Sequence, residues 1–156
     1  MNDKKIEELI YQLLEAIGED KDREGLVDTP KRVARMYREL YRGLIESPPI
    51  VTTFNNGADG VIYDQMIIDE GDFHSHCEHH LVPFFGKYYF AYIPNTKGKL
   101  LGLSKVARVV DYFSAKPQVQ ERLVQEIVNY LLKELSINWN EPLGMALIMK
   151  GKHLCK

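Results

Sequence analysis

Ile6, Leu9, Ile10, Leu13, Leu14 and Ile17 return every three or four positions, the period of one helical face, and Gly18 follows as a stop signal. A second helix is predicted from Thr29, which stands as an N-cap before Pro30; Val33, Met36, Tyr37, Leu40 and Tyr41 mark its apolar face up to Gly43. Pro48 to Gly60 is rich in Pro, Asn, Gly and Thr and reads as an irregular connection. The pattern then changes. Val61 to Asp69 and Phe84 to Ile93 are dense in β-branched and aromatic residues and predict strands, with a turn at Asn95-Thr96-Lys97-Gly98 after Pro94. Ser104 is placed to cap a helix carrying Val106, Val109, Val110 and Phe113. Pro117 is placed to open another, with Val119, Leu123, Ile127, Leu131 and Leu135 on its buried face. The two helices are expected to be adjacent, and Leu143 to Cys155, apolar and then polar with no cap, predicts a terminal strand. No repeat, low-complexity tract or linker interrupts the chain.

At 156 residues with 45% apolar and 27% charged composition, the expectation is one domain, 1–156, with an N-terminal helical part over 1–45 and the core over 61–156. A formal net charge of -2 gives no bulk attraction to nucleic acid or to an anionic membrane, so any phosphate chemistry must rest on local basic groups. No apolar run approaches the roughly 18 residues of a membrane span, and Met1-Asn2-Asp3-Lys4-Lys5 leads into an amphipathic pattern and not a signal-peptide core. A cytoplasmic protein is expected.

The distribution of two residue types carries more information than their number. All five histidines and both cysteines lie in His74-Ser75-His76-Cys77-Glu78-His79-His80 and in His153-Leu154-Cys155. Imidazole and thiolate are the side chains a borderline-soft metal prefers, and in a reducing compartment the two cysteines are better explained as ligands than as a disulfide. Cys77 and His80 are three apart, close enough for one turn to aim both at a single ion, and His153 and Cys155 would share a face of an extended strand. Cys77, His80 and Cys155 then form a three-ligand zinc set whose fourth tetrahedral position is left to water, which such an ion can bring to a pKa of about 7. A closed structural site with His79 or His153 as fourth ligand satisfies the same spacing. His74 and His76 read as surface or hydrogen-bonding histidines, since the set is complete without them.

Beyond the cluster, Cys77-Glu78-His79-His80-Leu81-Val82-Pro83-Phe84, Gly86-Lys87, Ala91-Tyr92-Ile93-Pro94, Gly102-Leu103-Ser104-Lys105, Arg108 and Pro117-Gln118-Val119-Gln120-Glu121-Arg122 follow one another in an order and spacing that closely resemble GTP cyclohydrolase I. Gly25-Leu26 and Thr29-Pro30-Lys31-Arg32-Val33-Ala34 extend the likeness, which runs from about residue 24 to Cys155. The resemblance implies an α+β tunnelling fold: an antiparallel sheet with helices packed on one face, preceded by an N-terminal helical pair, assembled as a toroidal homodecamer with active sites between subunits. It implies Zn2+ on Cys77, His80 and Cys155, with GTP as substrate. Water attack at C8 would open the imidazole ring of GTP and release formate, and recyclisation would give 7,8-dihydroneopterin triphosphate. By the same resemblance His79 and His153 shuttle protons, Gln120 and Glu121 hold the guanine edge, and Ser104, Lys105 and Arg108 contact the triphosphate. Without it, Gln120-Glu121 would read as an exposed first helical turn and Ser-Lys-x-x-Arg as a solvated helix start.

Departures from the family pattern set the alternatives. Family members usually continue past this cysteine with Met, an Arg-Gly segment and another strand, whereas here Cys155 is followed by Lys156 alone, without the arginine that helps hold the triphosphate. Lys150-Gly151-Lys152 is more basic than is usual there, and Lys116 stands where arginine is common. The alternative expectation is a weak or inactive relative that binds a purine nucleotide or co-assembles with a full-length homologue. A nitrile reductase of the same fold, working through a cysteine and a nicotinamide without zinc, is a third reading that the paired Cys/His patches disfavour.

Overall fold

The computed structural model describes residues 1–136 and 140–156. Its elements run α1 (Asp3–Ala16), α2 (Thr29–Leu40), a 3-10 turn (Arg42–Leu44), β1 (Thr53–Asn55), β2 (Ile67–Cys77), β3 (Pro83–Ile93), β4 (Lys99–Leu101), α3 (Ser104–Ser114), β5 (Pro117–Gln118), α4 (Gln120–Leu135) and β6 (Gly144–His153). The chain divides into two compact units, Met1–Glu46 and Ser47–Lys156.

In the first unit α1 packs on α2. Asn2 caps α1 by accepting from the Lys5 N–H at 3.1 Å, Gly18 lies just beyond its end at φ 84°, and Asp3 is held by Arg38 of α2 at 2.6 Å. Thr29 is the first residue of α2 and not its cap: Asp28 occupies the N-cap with no side-chain bond, and the Thr29 hydroxyl accepts from Arg32 instead.

The second unit is built on a four-stranded sheet in the order β5-β2-β3-β6, with β1 and β4 paired separately. β2, β3 and β6 are antiparallel, and β5 adds one short parallel pairing to β2. Alternation along β3 decides which face is covered: Phe84, Tyr88, Phe90 and Tyr92 are buried, while Phe85, Lys87 and Tyr89 are exposed. The buried row meets Val106, Val109 and Val110 of α3 and Leu123, Ile127, Leu131 and Leu135 of α4 in one apolar cluster. This α+β arrangement, an antiparallel sheet with two helices on one face, is that of a tunnelling fold. Phe90 is fully buried at its centre, so Phe90→Ala is expected to cost about 3–5 kcal/mol, read as a lowered urea midpoint with unchanged slope.

Two predicted boundaries move for identifiable reasons. The strand expected over Val61 to Asp69 instead spans Ile67–Cys77, and Val61, Ile62 and Met66 are more than half exposed. The Asn56 side chain takes the place of a neighbouring strand at Tyr63, donating to its carbonyl at 2.6 Å and accepting from its N–H at 2.9 Å. Pro117 opens no helix: it pairs with His76 in β5, and α4 starts three residues later. No helix among the described residues is long and apolar enough to cross a membrane.

Candidate metal centre

Cys77 is the last residue of β2, and the chain reverses immediately into β3. The Leu81 N–H donates to the Cys77 carbonyl at 2.8 Å and the Cys77 N–H to the Val82 carbonyl at 2.9 Å, closing a single turn around Glu78, His79 and His80. Leu81 completes the reversal in the left-handed region at φ 54°, which a branched side chain adopts only when its surroundings impose it. The turn brings Cys77 Sγ to 4.0 Å from His80 Nδ1 and 3.4 Å from His79 Nδ1.

The second segment reaches the same place from β6. That strand ends at His153, where it pairs with Phe84, and the Leu154 N–H donates to the Pro83 carbonyl at 3.2 Å. Cys155 therefore lies in a turn and not on the extended strand expected through it. It nevertheless meets the central cluster within one chain: the donor atoms of Cys77, His80 and Cys155 all lie within 4.8 Å of one another. A tetrahedral zinc ion with bonds of about 2.0–2.3 Å spaces its S and N donors by roughly 3.5–3.8 Å, so a small inward movement gives ligand geometry. Among the described residues this is the one group of its kind, and His79, despite its nearness to Cys77, does not join it.

Electrostatics suit a cation. The Cys77 thiol is lowered to about 6, first by its hydrogen bond with His80 and then by the His79 backbone N–H, so thiolate is available near neutral pH. Cys155 is displaced upward, by burial first and then by Cys77. The pair holds one negative charge readily and resists a second, a condition that a bound cation relieves.

A polar network ties this turn to the helices. The Glu78 N–H donates to the Gln118 carbonyl at 3.0 Å, and its carboxylate is paired with Arg122. Arg122 also donates to Gln118 Oε1 at 2.8 Å; the Gln118 amide, fully buried, donates to Glu126 at 2.7 Å and to the Phe113 carbonyl at 3.0 Å. Sequence reading gave Gln118, Arg122 and Glu126 no role. Gln118 in β5 and Arg122 in the first turn of α4 stand at i, i+4 spacing, which was a signal, but its link to Glu78 depends on the β2–β5 pairing.

The remaining predicted residues fall into two further places. The His153 ring stacks on Phe84 with centroids 4.5 Å apart and planes 3° from parallel, and its Nε2 lies 3.1 Å from Gln120 Oε1. Glu121 is exposed beside Gln120 in the first turn of α4. Ser104, Lys105 and Arg108 occupy the start of α3, with Ser104 and Arg108 exposed. Ser104 is the first helical residue and not the cap: Leu103 occupies the N-cap of α3. Among the described residues no hydrogen bond joins these three to the Cys/His group. His74 is exposed, and His76 is buried, its imidazole held below the usual range by that burial and then by His74. Neither takes part in the donor group.

The sequence profile of the GTP cyclohydrolase I family matches residues 6–156. The chain is similar to GTP cyclohydrolase 1 of Streptococcus suis (strain 05ZYH33), at 46% identity over 153 residues covering 97% of this chain and 76% of that protein. It is similar also to GTP cyclohydrolase 1 of Streptococcus mutans, 47% identical over 154 residues and covering 97% and 75% of the two chains. With GTP cyclohydrolase 1 of Streptomyces coelicolor the identity is 44% over 156 residues, covering 99% and 73%. With a shared profile over nearly its whole length and identities well above 40%, the chain belongs to the GTP cyclohydrolase I family.

Proposed function

We propose that this protein is a zinc-dependent GTP cyclohydrolase that hydrolyses GTP at C8, releases formate and recloses the ring to 7,8-dihydroneopterin triphosphate. The observation that carries the reading is the convergence of Cys77, His80 and Cys155 donors within 4.8 Å, in a chain of this family. Two sulfurs and one imidazole are a donor set for zinc, and three protein ligands leave a fourth position open. Bound there, zinc supplies Lewis acidity that makes water nucleophilic near neutral pH.

The chain's own groups do the rest. His79, one residue before His80 and with Nδ1 3.4 Å from Cys77 Sγ, is the group assigned to hold and pass a proton in ring opening. His153, clamped by Phe84 and Gln120, is the second proton carrier, serving ring opening and the later rearrangement. Family likeness assigns Gln120 and Glu121, in the first turn of α4, to the guanine edge, and the Glu121 carboxylate is suited to accept from the ring N–H and amino group of the base. Ser104, Lys105 and Arg108 offer a hydroxyl, an ammonium and a guanidinium at the start of α3, a combination suited to the triphosphate. We read the working form as a cytoplasmic homo-oligomer of toroidal, decameric type in which neighbouring copies complete each site; sedimentation mass checks this part independently.

Incubating the zinc-loaded protein with GTP tests the reaction. Formate and, after oxidation, a fluorescent pterin are the expected products in equal amounts. Neither product from zinc-loaded, assembled protein would overturn the assignment.

A further inference from the structure

Gln120 belongs by family likeness to the purine edge, yet its side chain is occupied elsewhere. Its Nε2 donates to the backbone carbonyl of Met149 at 2.9 Å, and its Oε1 lies 3.1 Å from Nε2 of His153. A backbone carbonyl can only accept, so the end of the amide facing Met149 is the NH2 and the end facing His153 is the carbonyl oxygen. Turning the amide over would set two carbonyl oxygens against each other at Met149. An imidazole nitrogen that meets a carbonyl oxygen at this distance must carry a hydrogen, which places the ring proton of His153 on Nε2.

The surrounding backbone is shaped for this contact. Met149 and His153 lie four residues apart on β6, and Gly151 between them has no side chain; a Cβ there would stand 2.7 Å from Gln120 Oε1. Phe84 fixes the plane of the His153 ring by parallel stacking, but stacking leaves the ring free to turn over within that plane. Hydrogen bonding to Gln120 removes that freedom, since a turned ring would present a C–H to the oxygen.

We infer that Gln120 is a positioning residue for His153, holding it as the Nε2–H tautomer so that Nδ1 is the nitrogen left with a lone pair to take up or pass on a proton. The inference deepens the reading of His153 as a proton carrier and rests on that reading for its catalytic consequence. It moves the Gln120 amide from base recognition to alignment, leaving the guanine edge to Glu121. Partners that orient the side chains around a metal site typically contribute about 10–100-fold to activity.

Two measurements on the full chain decide it. Solid-state 15N NMR of sedimented, histidine-labelled protein at neutral pH, with His153 assigned by the signal missing from His153→Gln, should show Nε2 protonated and hydrogen-bonded, and Gln120→Leu should remove that hydrogen bond. In parallel, Gln120→Leu should lower kcat for GTP by about 10–100-fold with KM changed less than about threefold. A proton on Nδ1 in the wild type, an Nε2 signal unchanged by Gln120→Leu, or a large rise in KM at retained kcat would each overturn the inference. The wild-type spectrum decides even if the variant fails to fold. If the wild type makes no formate while His153 carries its proton on Nε2, the proposed reaction fails and the placement of the proton stands.

Discussion

Cys155→Ser is expected to lose the bound ion and GTP turnover together, with formate production falling well beyond the ~10²-fold that an alteration around a metal site costs. The hydroxyl that replaces the thiol is not ionised near neutral pH and is a poor donor for a borderline-soft cation, so two protein ligands remain where three converged. The fold should persist, because Cys155 is at the margin of the apolar cluster and the sheet is complete before it, β6 ending at His153. Metal content per chain, formate release and the far-UV circular dichroism spectrum measured on one preparation separate the outcomes. Retained metal and turnover would show that the carboxy-end sulfur is not a ligand.

His79→Ala has the opposite signature. It should reduce turnover by about 10²–10⁴-fold, the usual contribution of a positioned acid–base group, and leave one metal per chain. Its imidazole is only 3.4 Å from Cys77 Sγ, so the same geometry would serve a fourth ligand in a closed site. The donor group that closes within 4.8 Å nevertheless forms without it. Metal analysis beside a formate assay distinguishes the two roles: loss of the ion in parallel with activity would make His79 a ligand and the site structural.

Much of this architecture is written locally in the chain. The helical period of Leu123, Ile127, Leu131 and Leu135 announced α4, and all four are buried against the sheet. The aromatic density of Phe84 to Ile93 announced β3, which spans Pro83–Ile93. The donor group of Cys77, His80 and Cys155 was legible because few other roles explain so complete a segregation of Cys and His. Long-range pairing was the missing ingredient elsewhere. Val61 to Met66 has strand composition, but the register that pairs Ile67 to His76 with β3 leaves it outside the sheet, its Tyr63 backbone bonded to the Asn56 side chain. Pro117 has the right residue type to begin a helix, yet the parallel pairing of His76 with Pro117 draws it into the sheet. The same pairing attaches the metal turn to α4 through Gln118, a function that no local pattern encodes. Gln120 is the subtlest case: likeness to a family points it at a purine, while its amide contacts Met149 and His153, partners 29 and 33 residues away.

X-ray absorption at the zinc edge of the zinc-loaded protein reads whether one ion is held by both sulfurs and one imidazole with a position left open. The expected shell is one zinc per chain with two sulfur neighbours at about 2.3 Å, one imidazole nitrogen at about 2.0 Å and one further light-atom neighbour that changes when GTP is added. A shell with one sulfur or none, or two sulfurs and two imidazoles unaltered by GTP, would contradict it.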